Sequence, residues 1–344
     1  MKIAHLLWAL GTGGAETMLV DIVNEQVKNN DVMIVAINDF INDQLVKKID
    51  SRCKIVLLRR KIGSKNMMPW VKMNCQLLMF HPDIIHCHLE GFRKMIFQPT
   101  PKVFTIHNIT TSGKEYPKFK QLYAISDAVR HYTKSQGFES VTVHNGIHPD
   151  TIEMKTSIEP FIVCNIVCVG RLFNDHKGQD VLVKAADILL NKYGVKNFHI
   201  DIIGDGPSRK MIECMIEESN LAEHVMLLGQ KDRTYVYSHL KDYDLYVMPS
   251  RFEGFGLTVA EAVCAKVPVL VCDLEGPMEV IEGGKYGMHF KCGDAEDLAV
   301  QIHAFLKTGA NIESIEKAYS YAHEHFDIKR TARQYIEEYN KVIN

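Results

Sequence analysis

Along the chain, short apolar runs alternate with amphipathic stretches, and the runs are apolar throughout rather than at every second position. Residues 2–9, 32–37, 54–59, 83–88, 103–107, 121–126 and 141–147 read as buried strands, while 17–29, 69–80 and 127–136 carry helical spacing. After a polar connector at 150–160 the pattern restarts, with strands at 166–171 and 225–229, a strand then a turn over 198–207, and helices at 178–194 and 208–219. An apolar run ending at Pro249, a glycine loop, an alanine-rich helix and VPVLVC (267–272) follow. KYGMHF (285–290) and helices at 294–307, 311–325 and 328–343 close the chain. Fully apolar strands alternating with helices predict an α/β protein with doubly wound parallel sheets. The restart predicts two Rossmann-like domains, 1–155 and 156–327.

Composition sharpens this picture. Apolar residues make up 46% of the 344, enough for two cores. The net charge of −2 hides an asymmetry: residues 1–155 hold 20 Lys and Arg against 14 Asp and Glu, and residues 156–344 hold 20 against 28. The first half is the face expected toward an anionic partner, a membrane surface or an acidic acceptor. No nucleic-acid partner is expected. Nine cysteines lie scattered without a framework, several in apolar runs (Cys164, Cys168, Cys264, Cys272), which fits a reducing cytosol. Lys2 before IAHLLWAL resembles a signal peptide, yet the run contains His5 and leads into a glycine turn with no cleavage-like site, so it reads as the first strand. Nothing approaches the ~20 apolar residues that span a bilayer. The expectation is a cytoplasmic protein, soluble or peripheral on the inner face of the membrane. Arg59, Arg60, Lys61, Lys65 and Trp70 read either as a solvated loop or as a patch lying on anionic lipid.

The chemistry concentrates in Asp244 to Asp273, DLYVMPSRFEGFGLTVAEAVCAKVPVLVCD. A strand, a glycine loop and a helix N-terminus make an anion site at the carboxyl edge of a sheet. Glu253 and Glu261 flank Gly254, Phe255, Gly256 and Leu257, and the amides of the last three lie at the positive end of the helix. Anion donors beside hydroxyl acceptors suit a nucleotide sugar. In GRLFNDHKGQD (170–180), Arg171 ends a strand and Lys177 precedes a helix, two cations suited to phosphate oxygens. GTGGAE (11–16) fails the dinucleotide fingerprint, because Glu16 replaces the third glycine, but still makes a tight loop at Gly13 and Gly14. His86 and His88 fall on one face of a strand and suggest a metal, yet no further ligand cluster has recognisable spacing. Asp242 and Asp244 read as structural, and Asn145-Gly146 as a turn.

EGFGLTVAEA, with Glu253 and Glu261 as its paired glutamates, resembles the signature of retaining GT-B glycosyltransferases of family 4, the glycosyl transferases group 1. The resemblance implies two Rossmann-like domains facing across a cleft, with the helix at 328–344 packing back on the first. It implies a hexosyltransferase acting on a glycan or lipid-linked acceptor in bacterial surface polysaccharide or glycolipid synthesis. It assigns Arg171 and Lys177 to the diphosphate, Glu261 to the ribose, and Glu253 to the donor sugar. Gly13, Gly14 and His107, at a strand end in TIHN, are assigned to the donor and acceptor, and Gly229 and Gln230 to the base. No metal or other cofactor is expected. A same-fold sugar-nucleotide epimerase, a phosphorylase and a non-catalytic nucleotide-sugar-binding protein are the rival readings.

Overall fold

The computed structural model describes all residues except Thr12, Leu89, Phe92, Thr110, Thr111 and Ser112, and the backbone alone of Arg93. The chain folds as two units, Met1–Gly146 with Ile328–Asn344, and Ile147–Asp327. The boundary falls before the polar connector. Residues 147–155 are already bonded into the second unit, Ile147 N–H to the Phe326 carbonyl (2.7 Å), Glu153 N–H to Tyr237 (3.0 Å) and Lys155 N–H to Ala265 (3.0 Å).

The first unit is built on a seven-stranded parallel sheet in the order β3-β2-β1-β4-β5-β6-β7. Its strands are β1 (Lys2–Leu7), β2 (Asp31–Asn38), β3 (Lys54–Arg60), β4 (Ile84–Cys87), β5 (Lys102–Ile106), β6 (Gln121–Ala124) and β7 (Val141–Thr142). Ile3, Ala4, Leu6, Ile34, Val35, Ile84, Ile85, Val103 and Ile106 are buried, which is why these runs show no alternation. The first helix spans Gly14–Gln26, starting earlier than the apolar spacing predicts. Thr17 reaches back to the Gly13 carbonyl through both its N–H (3.2 Å) and its hydroxyl (3.1 Å), closing a turn the pattern does not register. The C-terminal helix Ile328–Ile343 belongs to this unit. It buries Ile328, Thr331, Ala332, Tyr335, Tyr339 and Val342, one stripe at helical spacing.

The second unit holds a six-stranded parallel sheet, order β10-β9-β8-β11-β12-β13. Its strands are β8 (Cys164–Val169), β9 (Phe198–Ile203), β10 (Val225–Gly229), β11 (Leu245–Met248), β12 (Val269–Cys272) and β13 (Met288–Phe290). In both units strand order runs outward one way and then reverses, so a crevice opens at the carboxyl edge between the two inner strands. That switch point lies between β1 and β4 in the first unit and between β8 and β11 in the second.

Trp70 departs from expectation. It is 5% exposed and packs edge-on against Trp8 at 5.6 Å between centroids, with the Arg60 guanidinium 5.9 Å from its ring. It is a core residue rather than an anchor at a surface. The outward face of its helix, Met68–Phe80, is apolar instead: Met68, Val71, Leu78 and Met79 are exposed, with Met67 just before.

Candidate active site

In the second unit the predicted site residues gather at the switch point. Arg171 follows β8, Lys177 ends the short helix Asn174–Lys177, and Glu253 lies in the loop after β11. Lys177 Nζ donates to Glu253 Oε2 at 2.6 Å, so the sequence-distant cation and acid meet directly. The other Glu253 oxygen has no hydrogen-bond partner among the described residues. Arg171 is exposed, and its guanidinium enters no ion pair among the described residues; its carbonyl is held by Gln179 Nε2 at 3.0 Å.

The helix Leu257–Cys264 starts from Gly256, whose φ of +108° lies in the left-handed region that favours glycine. No side chain caps this end, leaving the Gly256 and Leu257 N–H groups without an acceptor among the described residues. The loop before it is pressed onto Gly276, where a Cβ would come 2.7 Å from the Gly254 carbonyl carbon. Glu261 accepts the Tyr237 hydroxyl at 3.1 Å, and Tyr237 in turn accepts Arg233 Nε at 2.7 Å. Gly229 ends β10 on the same sheet edge with φ +72°, and its carbonyl accepts the Gly204 N–H at 2.9 Å; Gln230 beyond it is exposed.

What sets these parts was not visible in the motifs. Arg251 forks onto Asp180 with bonds of 2.6 and 2.8 Å and donates to the Asn174 carbonyl at 3.0 Å. The Arg251 and Phe252 N–H groups both bond to the His176 carbonyl, at 2.8 and 3.0 Å. The turn after β8 and the loop after β11 are thereby stitched together, which delivers Lys177 to Glu253. Burial disfavours ionised Asp180, but the Arg251 fork and Lys184 outweigh it and hold the carboxyl below its ordinary range. Gly178, φ +62°, permits the approach, since a Cβ there would sit 2.0 Å from the Pro249 carbonyl oxygen. Asp244 is tied up in structure, accepting Lys155 Nζ and the Asn165 N–H, both at 2.9 Å.

In the first unit Gly13 and Gly14 are exposed at the start of the first helix, after β1. His107 follows β5 and is partly exposed, with Nε2 3.2 Å from His88 Nδ1. His88 Nε2 meets His5 Nδ1 at 3.0 Å. The parallel register sets His5 beside His86, so the first strand supplies a third buried imidazole that the spacing of His86 and His88 does not announce. Ring nitrogens of His5, His86 and His88 lie within 4.8 Å of one another, the spacing of a metal triad. All six of those nitrogens have partners: Gln26 and His88 for His5, Tyr339 and Thr105 for His86, His5 and His107 for His88.

Residues 164–325 match the family model of glycosyl transferases group 1. The phosphatidyl-myo-inositol mannosyltransferase of Mycobacterium leprae is 25% identical over 280 residues, covering 76% of this chain and 74% of its own. The lipopolysaccharide 1,6-galactosyltransferase of Salmonella typhimurium is 25% identical over 329 residues, covering 88% and 89%. Among solved structures, a glycosyltransferase from Rickettsia africae superposes with a TM-score of 0.82 at 19% identity, over 100% of this chain and 98% of its own. HepE of Anabaena, solved in complex with UDP and glucose, gives 0.81 at 19% identity, over 99% and 100%. The chain therefore has the GT-B fold, and over residues 164–325 its sequence is similar to the glycosyl transferases group 1.

Proposed function

We propose that this chain is a retaining, metal-independent hexosyltransferase of family 4, moving a sugar from a nucleoside diphosphate sugar to a glycan or lipid-linked acceptor in bacterial surface polysaccharide or glycolipid synthesis. The observation that carries the reading is the Lys177–Glu253 pair at the switch point, beside an uncapped helix start and the exposed Arg171. The leaving diphosphate gains negative charge as the sugar bond breaks. Arg171, Lys177 and the amides of Phe255, Gly256 and Leu257 stabilise that charge, which is larger in the transition state than in the ground state. These groups take the place of a divalent ion. Glu253 shares one oxygen with Lys177 and offers the other to donor-sugar hydroxyls, while its charge favours an oxocarbenium-like sugar. Glu261 takes the ribose hydroxyls, and the Gly229–Gln230 turn the base. In the first unit, Gly13, Gly14 and His107 are the groups assigned to the transferred sugar and the acceptor. The departing phosphate accepts the acceptor's proton on the same face, so retention needs no dedicated protein base.

UDP-sugars are the first donors to test, since HepE was solved with UDP and glucose. The assay follows nucleotide release from UDP-, GDP- and ADP-sugars with and without a lipid extract. Acceptor-dependent release supports the transferase. Interconversion of the donor sugar without release points to an epimerase, and binding without either to a non-catalytic protein.

Membrane association is part of the same reading. Among the described residues no helix is long and apolar enough to cross a membrane. Met67, Met68, Val71, Leu78 and Met79 are exposed, as are Arg59, Lys61, Lys65 and Lys72, in and shortly before helix Met68–Phe80, and apolar with basic side chains is the composition that settles on anionic lipid.

A further inference from the structure

One line of hydrogen bonds runs through the first unit behind His107, and its other members have no part in the proposed reaction. Gln26 Oε1 lies 2.8 Å from His5 Nε2, His5 Nδ1 3.0 Å from His88 Nε2, and His88 Nδ1 3.2 Å from His107 Nε2. Gln26, His5 and His88 are buried; His107, at the end, is the member of the line that reaches the surface. Burying two imidazoles in contact with each other and with a third is costly unless all stay neutral. Burial does keep them so, pushing His5 and His107 down to about 4 and holding His88 well below its ordinary value.

A neutral imidazole has one N–H donor and one acceptor nitrogen. Three such rings in series can run in only two senses, and the group at the blind end decides which. With the Gln26 carbonyl oxygen toward His5, every ring carries its proton on Nε2, and His107 Nδ1 is left as a bare acceptor. With the amide turned over, every proton sits on Nδ1, and His107 Nδ1 becomes a donor. His86 stands outside the line, its ring 4.2 Å from that of His88 but its nitrogens engaged by Tyr339 (2.5 Å) and Thr105 (2.7 Å).

We propose that Gln26, His5 and His88 are positioning residues that fix the tautomer of His107, and so set its Nδ1 as a hydrogen-bond acceptor for a sugar hydroxyl. The role at the sugar rests on the function proposed above; the tautomer line does not. An acceptor nitrogen held in place orients a hydroxyl that is about to react, where a freely exchanging tautomer would present the wrong partner part of the time.

The test is a long-range 1H–15N correlation spectrum of the full chain labelled with 15N-histidine, near pH 7.5. His5, His88 and His107 are all expected in the Nε2–H pattern. Gln26→Leu removes the bias and moves the His107 nitrogen shifts toward a tautomer average. In the acceptor-dependent assay Gln26→Leu lowers kcat about tenfold with the donor KM within about twofold, a fraction of what a positioned acid or base contributes. An Nδ1–H at His88 or His107 in the wild type, or unmoved His107 shifts in Gln26→Leu, overturns the line. A moved tautomer with unchanged kcat overturns the positioning role. One equivalent of Zn²⁺ taken up with shifts at His5, His86 and His88 overturns the proposal in favour of a metal centre. Should Gln26→Leu not fold, the wild-type spectrum still decides. If wild-type turnover is absent altogether, the function fails while the tautomer result stands independently.

Discussion

At the residue scale, the proposed chemistry depends on a lysine and a glutamate 76 positions apart in sequence that meet at 2.6 Å. Each residue stood out in sequence, because each sits in a recognisable motif in the segment that follows a strand. Their contact did not, since it is made by Arg251 and Asp180, which look in sequence like ordinary surface charges. Removing one charge-stabilising group costs about 10²–10³ in rate. Lys177→Ala and Glu253→Ala are therefore expected to lower acceptor-dependent nucleotide release at least about a hundredfold, with unchanged circular dichroism. Turnover within threefold of wild type in either variant removes the roles assigned to them.

At the element scale, apolar runs revealed the strands but not their neighbours. His5 could not be grouped with His86 and His88 in sequence, because nothing local states that β1 pairs with β4 in the register that puts it beside His86. Likewise Trp70 reads as surface when grouped with the basic residues before it, and only helix packing turns it inward onto Trp8 while Val71 and Met79 turn out.

The buried histidines give the element a pH signature. Their folded pKa values lie below the unfolded value near 6.5, so the unfolded chain binds more protons between about 4 and 6.5. The stability they contribute is full above about pH 6.5 and is lost as pH falls toward 4. For His5 alone the loss at pH 5 is on the order of 2 kcal/mol. Urea unfolding at pH 7.5 and pH 5 checks this: wild type should lose more than His5→Phe, and equal losses would speak against a neutral buried ring.

The outward face of helix Met68–Phe80 makes a separate prediction. The full chain should sediment with vesicles containing anionic lipid and much less with neutral ones. Changing Arg59, Lys61 and Lys65 to Ser should release it, at roughly 1 kcal/mol per charge. Equal partitioning onto both lipids, or no release, ends the membrane reading.

At the scale of the molecule, the two parallel sheets were legible because strands buried on both faces leave an unbroken apolar run. The return of helix Ile328–Ile343 to the first unit was implied by family resemblance alone. Its stripe shows that it has a partner but not which, and the answer comes from Tyr335 and Tyr339, which bury against His86 and Tyr123. The unit boundary was displaced for a similar reason: a polar connector looks free until its backbone is seen bonded to Tyr237 and Ala265.

The proposed function requires a nucleoside diphosphate in the second unit, at the switch point between β8 and β11. Crystals of the full chain soaked with UDP, GDP or ADP test it most directly. The diphosphate is expected on Arg171, Lys177 and the amides at the start of helix Leu257–Cys264, with Glu261 on the ribose. A nucleotide bound elsewhere on the chain, with Glu253 and Glu261 not touching it, would contradict it.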